Sequence, residues 1–276
     1  MFYLCQSAGE VPGAPYDLVF SALGELERSR ATIETAKRFV ASQSKPVVND
    51  PAFLGRTARP ALRATLSAID DCIVPQTMRV ERGELSESSP LALPFLVRPV
   101  DSHGGRGLEL VRTGDELAGY LERYDAARFD LAEFVDYRDA DGLYRKYRIV
   151  FVDGEPFAYH LAISADWMVH YYKTAMRDEP SMRAEEERFM EDPGSVFPAW
   201  ESSFPAIARA VGLDYFGIDC ARAPDGSVVV FEADAAMLVH CLDPIEIFPY
   251  KHRLVPRIFR ALEDLLERRE GGARPP

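Results

Sequence analysis

Positive charge is scarce in this sequence of 276 residues. It has 32 lysines and arginines against 44 aspartates and glutamates, a formal net charge of −12. A surface of that sign repels the phosphate backbone of nucleic acids, so we expect no nucleic-acid partner. A small anion is not excluded, because its pocket needs only a few local cations and backbone N–H groups.

Cysteine is also scarce, and the four that occur lie far apart without a C-x-x-C pair. This spacing argues against a disulfide framework and against a structural zinc site, so we expect reduced thiols, most of them buried. The neighbours His240 and Cys241 do not predict a nucleophile and its base, because adjacent strand residues point in opposite directions.

Long apolar runs are missing. The first five residues are apolar, but no basic segment precedes them and a polar run follows. We therefore expect neither a signal peptide nor a membrane-spanning helix, and we expect a cytoplasmic protein. No repeat of solenoid period occurs, and the hydrophobic content of 47% allows two or three lobes with separate cores.

The first third of the sequence alternates between strand and helix patterns. The order β-α-β-α implies a small parallel sheet with crossover helices, with strands at residues 17–21 and 45–49 and helices at 25–41 and 52–69. Residues 81–90 are rich in Ser and Glu and lack an apolar period, so they are expected to form a connector without regular structure.

Beyond this connector, hairpins and helices are predicted. Thr113 and Glu116 form a capping-box pattern at the start of a helix. Asp153-Gly154 and Asp225-Gly226 are typical tips of β-hairpins. The remaining predicted elements are strands at 93–99, 108–111 and 129–135, hairpin strands at 146–152, 156–163, 215–220 and 227–232, and helices at 113–124, 183–191 and 199–211.

Three carboxylates are the most informative candidates for chemistry. Asp219 lies near the end of one strand of the second hairpin, and Glu232 and Asp234 lie near the end of the other. Residues two apart on a strand share a face, so the three side chains can converge, and oxygen ligands of this kind suit Mg²⁺. The alternative is that they are strand-end acids in solvent.

The order of an acid, a turn and then Glu-x-Asp resembles the end of the nucleotide-binding lobe in the ATP-grasp superfamily, where Glu-x-Asn is usual. The resemblance implies that Asp219, Glu232 and Asp234 hold one or two Mg²⁺ ions, which Mn²⁺ could replace, beside bound ATP. Asp234 departs from the family pattern by adding a negative charge, although it keeps an oxygen ligand.

Other segments resemble the same superfamily in the same order. Val48-Asn49-Asp50-Pro51 resembles the end of its first lobe, and Val74-Pro75-Gln76-Thr77 resembles the entry to its central lobe. Arg98 stands where a phosphate-binding Lys is usual. The resemblance implies a flap over the phosphates made of His103, Gly104, Gly105, Arg106 and Gly107, and a hinge beside adenine and ribose made of Glu133, Phe134, Val135 and Asp136.

The first hairpin resembles that of bacterial glutathione synthetases and ribosomal-protein glutamate ligases. The resemblance implies that Arg148 holds the acyl phosphate or its transition state, that Lys146 beside it contacts the nucleotide, and that Lys173 binds phosphate or substrate. His160, His170, Tyr171 and Tyr172 could line the acceptor pocket or belong to the core.

The resemblance implies an architecture of the α+β / α/β class, namely the ATP-grasp fold. In this fold two α+β lobes enclose ATP, and a short Rossmann-like lobe precedes them in the chain. Expected boundaries are 1–75 for the first lobe, 76–135 for the central lobe, 136–267 for the C-terminal lobe and 268–276 for a disordered tail.

The activity that the resemblance implies is the joining of a small-molecule or peptide carboxylate to an amine-type acceptor through an acyl phosphate. An ATP-grasp kinase and a non-catalytic ATP-binding module are alternatives, and a homodimer is left open. The short first lobe and the two departures, Arg98 and Asp234, favour the module.

Overall fold

The structure, a computed structural model, describes residues 16–24, 29–87, 89–100, 102 and 105–271. Its strands and helices in chain order are β1 (Val19–Phe20), α1 (Arg30–Ser42), β2 (Val47–Val48), α2 (Arg59–Leu66), β3 (Cys72–Ile73), β4 (Thr77–Glu81), α3 (Arg82–Glu87), β5 (Phe95–Pro99), β6 (Glu109–Val111), α4 (Gly114–Arg123), β7 (Arg128–Glu133), β8 (Tyr144–Val152), β9 (Glu155–Ser164), α5 (Pro180–Glu191), α6 (Trp200–Val211), β10 (Tyr215–Arg222), β11 (Val228–Asp234), α7 (Pro249–Leu254) and α8 (Pro256–Glu270). These strands form three sheets.

The first part of the chain has the predicted parallel pairing, since β1 lies parallel to β2 across the crossover helix α1. The helix predicted over 52–69 is wrong in detail. A 3-10 helix, Leu54–Thr57, precedes α2, and the extended Ala58 separates the two. Pro60 is the second residue of α2, and its missing N–H is tolerated in the first turn of a helix but not inside a longer one, so it favours a new helix start here.

The central sheet has the order β4-β7-β5-β6, and every adjacent pair in it is antiparallel. Its apolar face packs on α4, whose first turn is capped as predicted by Thr113 Oγ1, 3.2 Å from the N–H of Glu116. The expected connector over 81–90 is wrong in part, because residues 82–87 form α3 and Leu85 joins this core. One buried leucine is too little apolar signal to predict a helix from the sequence.

The larger sheet has the order β3-β11-β10-β8-β9. The β8–β9 hairpin is confirmed, and both turn residues, Asp153 and Gly154, have positive φ angles of 51° and 86°. That combination is what a two-residue type I′ turn requires, and it explains the Asp-Gly pair. The β10–β11 hairpin is confirmed as well and is antiparallel.

The core of this larger sheet reaches beyond the expected lobe boundary at 75. β3 pairs in parallel with β11, and the buried residues Leu62 and Leu66 of α2 join the same core as α5, α6 and α8. Each fully buried large apolar side chain of this core contributes roughly 1.5–3 kcal/mol. The division into lobes stays a prediction, but the first segment and the large sheet share one core.

A buried asparagine joins the first segment to the large sheet. The side-chain amide of Asn49 donates to the carbonyl oxygens of Tyr215 and Ala235 at 2.7 and 3.2 Å and accepts from the N–H of Tyr215 at 2.7 Å. Asn49 is fully buried and has a φ of 59°, a conformation that asparagine tolerates better than most residues. The Val-Asn-Asp-Pro segment therefore has a structural role here.

At the C-terminal end, α8 continues to Glu270. Residues 268–270, which were expected in a disordered tail, are therefore helical. Arg268 lies 2.7 Å from Asp153, and Arg269 pairs with Asp214, so two ion pairs tie the last turn of α8 to the turns beside β8 and β10. Residues 272–276 of that expected tail, and residues 25–28 of the expected first helix, lie outside the described residues.

The described residues bear on two expectations, one about membrane-spanning helices and one about the burial of the cysteines. Among them, no helix is both long and apolar enough to cross a membrane. Of the described cysteines, Cys220 is buried, whereas Cys72 and Cys241 are only partly covered, so burial of most thiols is not what the structure has.

Candidate active site

The candidate site is built on one face of the large sheet. Arg148 of β8 lies opposite Asp219 of β10, and Asp219 lies opposite Glu232 of β11. Gly217 lies opposite Asp234 two positions further on. Because side chains alternate along a strand, this register brings the predicted carboxylates and Arg148 to the same side of the sheet.

Asp219 is the centre of this face. Its carboxylate accepts two hydrogen bonds from Arg148, from Nε at 2.6 Å and from Nη2 at 3.0 Å, and a third from Lys146 Nζ at 3.0 Å. Asp219 is 2% exposed, while the side chains of Lys146 and Arg148 are 22% and 23% exposed. The acid is thus enclosed, and the two cations close it off from solvent.

This arrangement keeps Asp219 ionised. Burial by itself would raise the pKa of Asp219, but the charges of Lys146 and Arg148 and the Arg148 hydrogen bonds hold it well below the ordinary 3.8. Burial would lower the pKa of Arg148, and the hydrogen bonds and charge of Asp219 raise it instead. One negative and two positive charges leave a local surplus of positive charge.

The other two predicted metal ligands have separate partners. Glu232 Oε2 lies 2.8 Å from Arg59 of α2, and both side chains are substantially exposed. Asp234 Oδ1 accepts from the N–H of Ala236 at 2.8 Å. Within the described ranges, no three acids, histidines or cysteines are close enough together to hold a metal ion.

The donor chemistry nevertheless fits Mg²⁺. Asp219, Glu232 and Asp234 offer only carboxylate oxygens, they share a sheet face, and Glu232 is accessible. What the structure lacks is their convergence, because Asp219 is turned to two cations and Glu232 to a third. The metal assignment therefore stays a prediction that requires these ion pairs to rearrange.

The flap connects β5 to β6 and reaches the same region. Gly105 has a φ of 75°, and a Cβ at this position would lie 2.7 Å from Nε2 of His170. Only glycine fits that approach without displacing the imidazole ring. Gly107 has a φ of 67° and Arg106 is exposed, while His103 and Gly104 lie outside the described residues.

His170 connects the flap to the carboxylate face. Burial lowers its pKa, and the nearby positive charges of Lys146 and Lys173 lower it further, whereas Asp219 and Glu232 act in the opposite direction. The ring that Gly105 approaches therefore also experiences the charges of two of the three predicted metal ligands. Gly105 of the flap thus lies against the segment that leads to Lys173.

Arg98 lies on β5 of the central sheet, opposite Asp130 of β7 in the strand register. Its side chain is 17% exposed, and Nη2 lies 3.7 Å from the Asp130 carboxylate. Asp130 is shared with Arg79, whose Nε lies 2.8 Å away. Arg98 is thus held at the sheet on the strand that enters the flap, and its phosphate contact stays a prediction.

The predicted hinge follows the end of β7. Glu133 is the last strand residue, and its carboxylate accepts from the N–H of Gln76 at 3.1 Å. Phe134 and Val135 lie beyond the strand, and Phe134 packs edge-on against Trp167 at 6.2 Å. Asp136 is held by Arg138, which lowers its pKa through hydrogen bonds. The structure leaves the adenine and ribose contacts of these residues untested.

Lys173 ends a 3-10 helix, Tyr171–Lys173, and its side chain is exposed. At the start of this helix, the Tyr171 ring stacks on His160 with a centroid distance of 4.7 Å. His160 is the strand neighbour of Arg148 on β9. The segment that carries Lys173 therefore begins directly beside the Arg148–Asp219 face.

Sequence reasoning missed a buried charged cluster next to this segment. Lys251 and Glu186 are 3% and 0% exposed, and Lys251 Nζ lies 3.3 Å from Glu186 Oε1 and 3.0 Å from Asp243 Oδ2. Tyr171 and Tyr250 donate hydrogen bonds to Glu186. No pattern in the sequence distinguishes these two residues from the exposed charges around them on α5 and α7.

No protein-family model matches the sequence, and no curated protein matches it. Among solved structures, the VanG D-Ala:D-Ser ligase from Enterococcus faecalis has a TM-score of 0.53 and 16% identity over 90% of this chain and 72% of its own. A D-alanine–D-alanine ligase from Bacillus anthracis, complexed with ATP, has a TM-score of 0.52 and 13% identity over 94% and 81%.

A third similar structure is a RimK domain ATP-grasp protein from Sphaerobacter thermophilus, with a TM-score of 0.50 and 18% identity over 91% of this chain and 81% of its own. Identities this low establish the fold alone. The chain has the ATP-grasp fold, and the α+β architecture that the sequence motifs implied is confirmed.

Proposed function

We propose that this protein is an ATP-dependent ligase that joins a carboxylate to an amine through an acyl phosphate. The observation that carries the proposal is the positively charged Lys146–Arg148–Asp219 cluster, which lies beside the 170–173 segment that the glycine flap approaches. It is supported by the ATP-grasp fold and by structural similarity to ligases. A small-molecule or peptide carboxylate, an amine-type acceptor and a cytoplasmic location are parts of this proposal.

In the first step, an oxygen of the substrate carboxylate attacks the γ-phosphorus of ATP. A new O–P bond forms while the bond to the β-phosphate oxygen breaks, which gives an acyl phosphate and ADP. In the second step, the amine nitrogen attacks the acyl carbon, the C–N bond forms, and phosphate leaves as the nitrogen loses a proton. Neither step needs a nucleophile from the protein.

The residues of this chain would supply positive charge and exclude water. Arg98 from the central sheet and Lys146 and Arg148 from the large sheet would contact the transferred phosphate from two sides. The backbone N–H groups around Gly105 and Gly107 would cover it, because glycines permit close approach. Lys173, on the neighbouring exposed segment, would contact phosphate or acceptor.

Mg²⁺ would be held by Asp219, Glu232 and Asp234 and would offset the negative charge of the ATP phosphates. Asp219 would have to leave Lys146 and Arg148 to become a ligand. These two cations would then be available to the phosphates, whose charge replaces that of the carboxylate.

A non-catalytic nucleotide-binding module is the second candidate. It is favoured by the ion pairs that occupy Asp219 and Glu232 and by the lack of a gathered acid cluster in the described part of the chain. Such a module would bind ATP without consuming it.

A turnover assay separates these candidates. The protein is incubated with Mg²⁺-ATP and a panel of carboxylates and amines, and ADP, phosphate and coupled products are measured. A ligase releases ADP and free phosphate together with an amide, whereas a kinase leaves the phosphate on its acceptor. ATP binding without ADP across the panel would reject the ligase in favour of the module.

The metal assignment is tested by Glu232→Ala with Arg59→Met as the matched control. Both variants break the same exposed ion pair, but only the first removes a carboxylate. We expect Glu232→Ala to lower Mg²⁺-dependent ATP turnover by on the order of 100-fold. We expect both variants to change the unfolding free energy by less than about 1 kcal/mol. Equal turnover in the two variants would show that Glu232 is not a ligand.

A further inference from the structure

A second charged cluster lies behind the candidate site and has no part in the proposed chemistry. Lys251 of α7 contacts Glu186 of α5 and Asp243 of the preceding loop, and it donates a hydrogen bond to the Tyr171 hydroxyl. That hydroxyl in turn donates to Glu186 Oε2 at 2.9 Å. Tyr171 is therefore held through its one polar atom by two buried charges.

The cluster is closed and internally satisfied. Glu186 also accepts from the N–H of Leu161 at 3.1 Å and from the hydroxyl of Tyr250. Lys251 Nζ lies 4.1 Å from the centre of the Tyr171 ring and 4.9 Å from that of Phe248. Among the described residues, the only buried side-chain polar atom without a partner is the Ser21 hydroxyl, outside this cluster.

Stability alone does not account for such a cluster. Removing two charges from water costs about as much as their attraction returns, and apolar residues of similar volume often stabilise as well or better. What apolar residues could not do is fix the Tyr171 hydroxyl at one position. The physical benefit of the cluster is therefore geometric.

Tyr171 connects this cluster to the candidate site. The Tyr171 ring stacks on His160, the strand neighbour of Arg148. Tyr171 is also the first residue of the 3-10 helix that ends at Lys173, and the N–H of Lys173 bonds to the carbonyl of His170 at 2.9 Å. His170 is the residue that Gly105 of the flap approaches.

We infer that Lys251 and Glu186 are positioning residues, which hold Tyr171 and thereby fix the 170–173 segment against the flap and the Arg148–Asp219 face. The consequence for turnover depends on the proposed function, whereas the positioning itself does not. The test accordingly has one measurement that needs no substrate and one that does.

The first measurement is amide hydrogen exchange over residues 165–178 in the full chain. Lys251→Met removes the charge that holds Tyr171, and Arg253→Met on the same helix removes a solvent-exposed cation as the control. We expect Lys251→Met to speed exchange in this segment by about tenfold or more, because its local opening becomes easier. Exchange in β10 and β11 and in the control should match the wild type.

Wild-type exchange over 165–178 in a folded Lys251→Met protein would overturn the inference. If Lys251→Met does not fold, Tyr171→Phe decides, since it keeps the ring on His160 and loses only the hydroxyl contacts. It should also speed exchange in this segment, and unchanged exchange would again overturn the inference.

The second measurement is steady-state turnover of the same variants. We expect Lys251→Met to lower kcat by about tenfold with little change in KM for ATP, because Lys173 is displaced while Arg98, Lys146 and Arg148 stay in place. Arg253→Met should leave both constants unchanged. Absence of turnover in the wild type would reject the proposed ligase and leave the exchange result as the test of positioning.

Discussion

The two charged clusters of the C-terminal half contain opposite ratios of acid to base. Asp219 is one acid between two cations, Lys146 and Arg148, and those cations are partly exposed. In the other cluster, two acids, Glu186 and Asp243, surround the single buried cation Lys251. Charge ratio and access to solvent, and not the presence of ion pairs, separate the two.

The difference between the clusters appears in the pKa values of their acids. Cations hold the pKa of Asp219 below its ordinary value, whereas burial raises the pKa of Glu186 despite the attraction of Lys251. The Asp219 cluster keeps surplus positive charge beside an open face, which suits an anionic ligand. The Glu186 cluster is sealed and suits a structural role. Three predictions test this contrast, in order of decreasing effect.

The largest effect is expected from Asp219→Asn. The proposed metal ligand is lost, so Mg²⁺-dependent ATP turnover should fall by roughly 100-fold to 1,000-fold. Weaker hydrogen bonds to Lys146 and Arg148 should lower the unfolding free energy by about 1–3 kcal/mol. Turnover assays and urea unfolding measure the two effects.

Asp225→Asn is the matched control, because Asp225 lies in the turn of the same hairpin and accepts a local hydrogen bond from the N–H of Ser227. This control should change turnover by less than about twofold, as expected for an exposed turn residue. If Asp219→Asn turned over ATP like this control, the Asp219 cluster would have no functional distinction from the Glu186 cluster.

The pH dependence of stability should differ in sign between the clusters. The folded pKa of Asp219 lies below 3.8, so its contribution is present above that pH and is lost as the pH falls through the folded value. The folded pKa of Glu186 lies above 4.5, so the unfolded chain releases this proton first. Stability from Glu186 therefore decreases as the pH rises from 4.5 to the folded value.

Glu186→Gln isolates the second contribution, because glutamine has no proton to release. We expect this variant to gain stability relative to the wild type as the pH rises from about 4 to about 8, so that the difference in unfolding free energy, variant minus wild type, increases. Urea unfolding at several pH values measures it. Parallel profiles would mean that the pKa of Glu186 is the same in the folded and the unfolded protein, and would contradict the predicted contrast with Asp219.

The smallest effect is expected from Tyr250→Phe. Glu186 loses one hydrogen bond but keeps those from Tyr171 and Leu161, so the unfolding free energy should fall by about 1 kcal/mol. Turnover should be unchanged, because Tyr250 does not contact the Tyr171–Lys173 segment through a described hydrogen bond. A loss of turnover would extend the positioning role to the whole cluster.

The sequence predicted the hairpins and the shared face well, because those depend on local rules. Asp153-Gly154 sets the β8–β9 turn, and alternation along β10 and β11 places Asp219, Glu232 and Asp234 on one side. It predicted α3 and the last turn of α8 poorly. Helix 82–87 has one buried leucine, and the final turn is held by ion pairs with Asp153 and Asp214 from distant segments.

The sequence by itself determined which residue types stand at the strand ends and which turns join the strands, because side-chain alternation and positive φ angles depend on neighbouring residues. Only the tertiary structure decided the partners of those residues. Asp219 meets Lys146 across 73 positions of the chain and Arg148 across a similar separation. Glu186 meets Lys251 across 65 positions. Burial and charge pairing act through space, and the order of residues does not encode them locally.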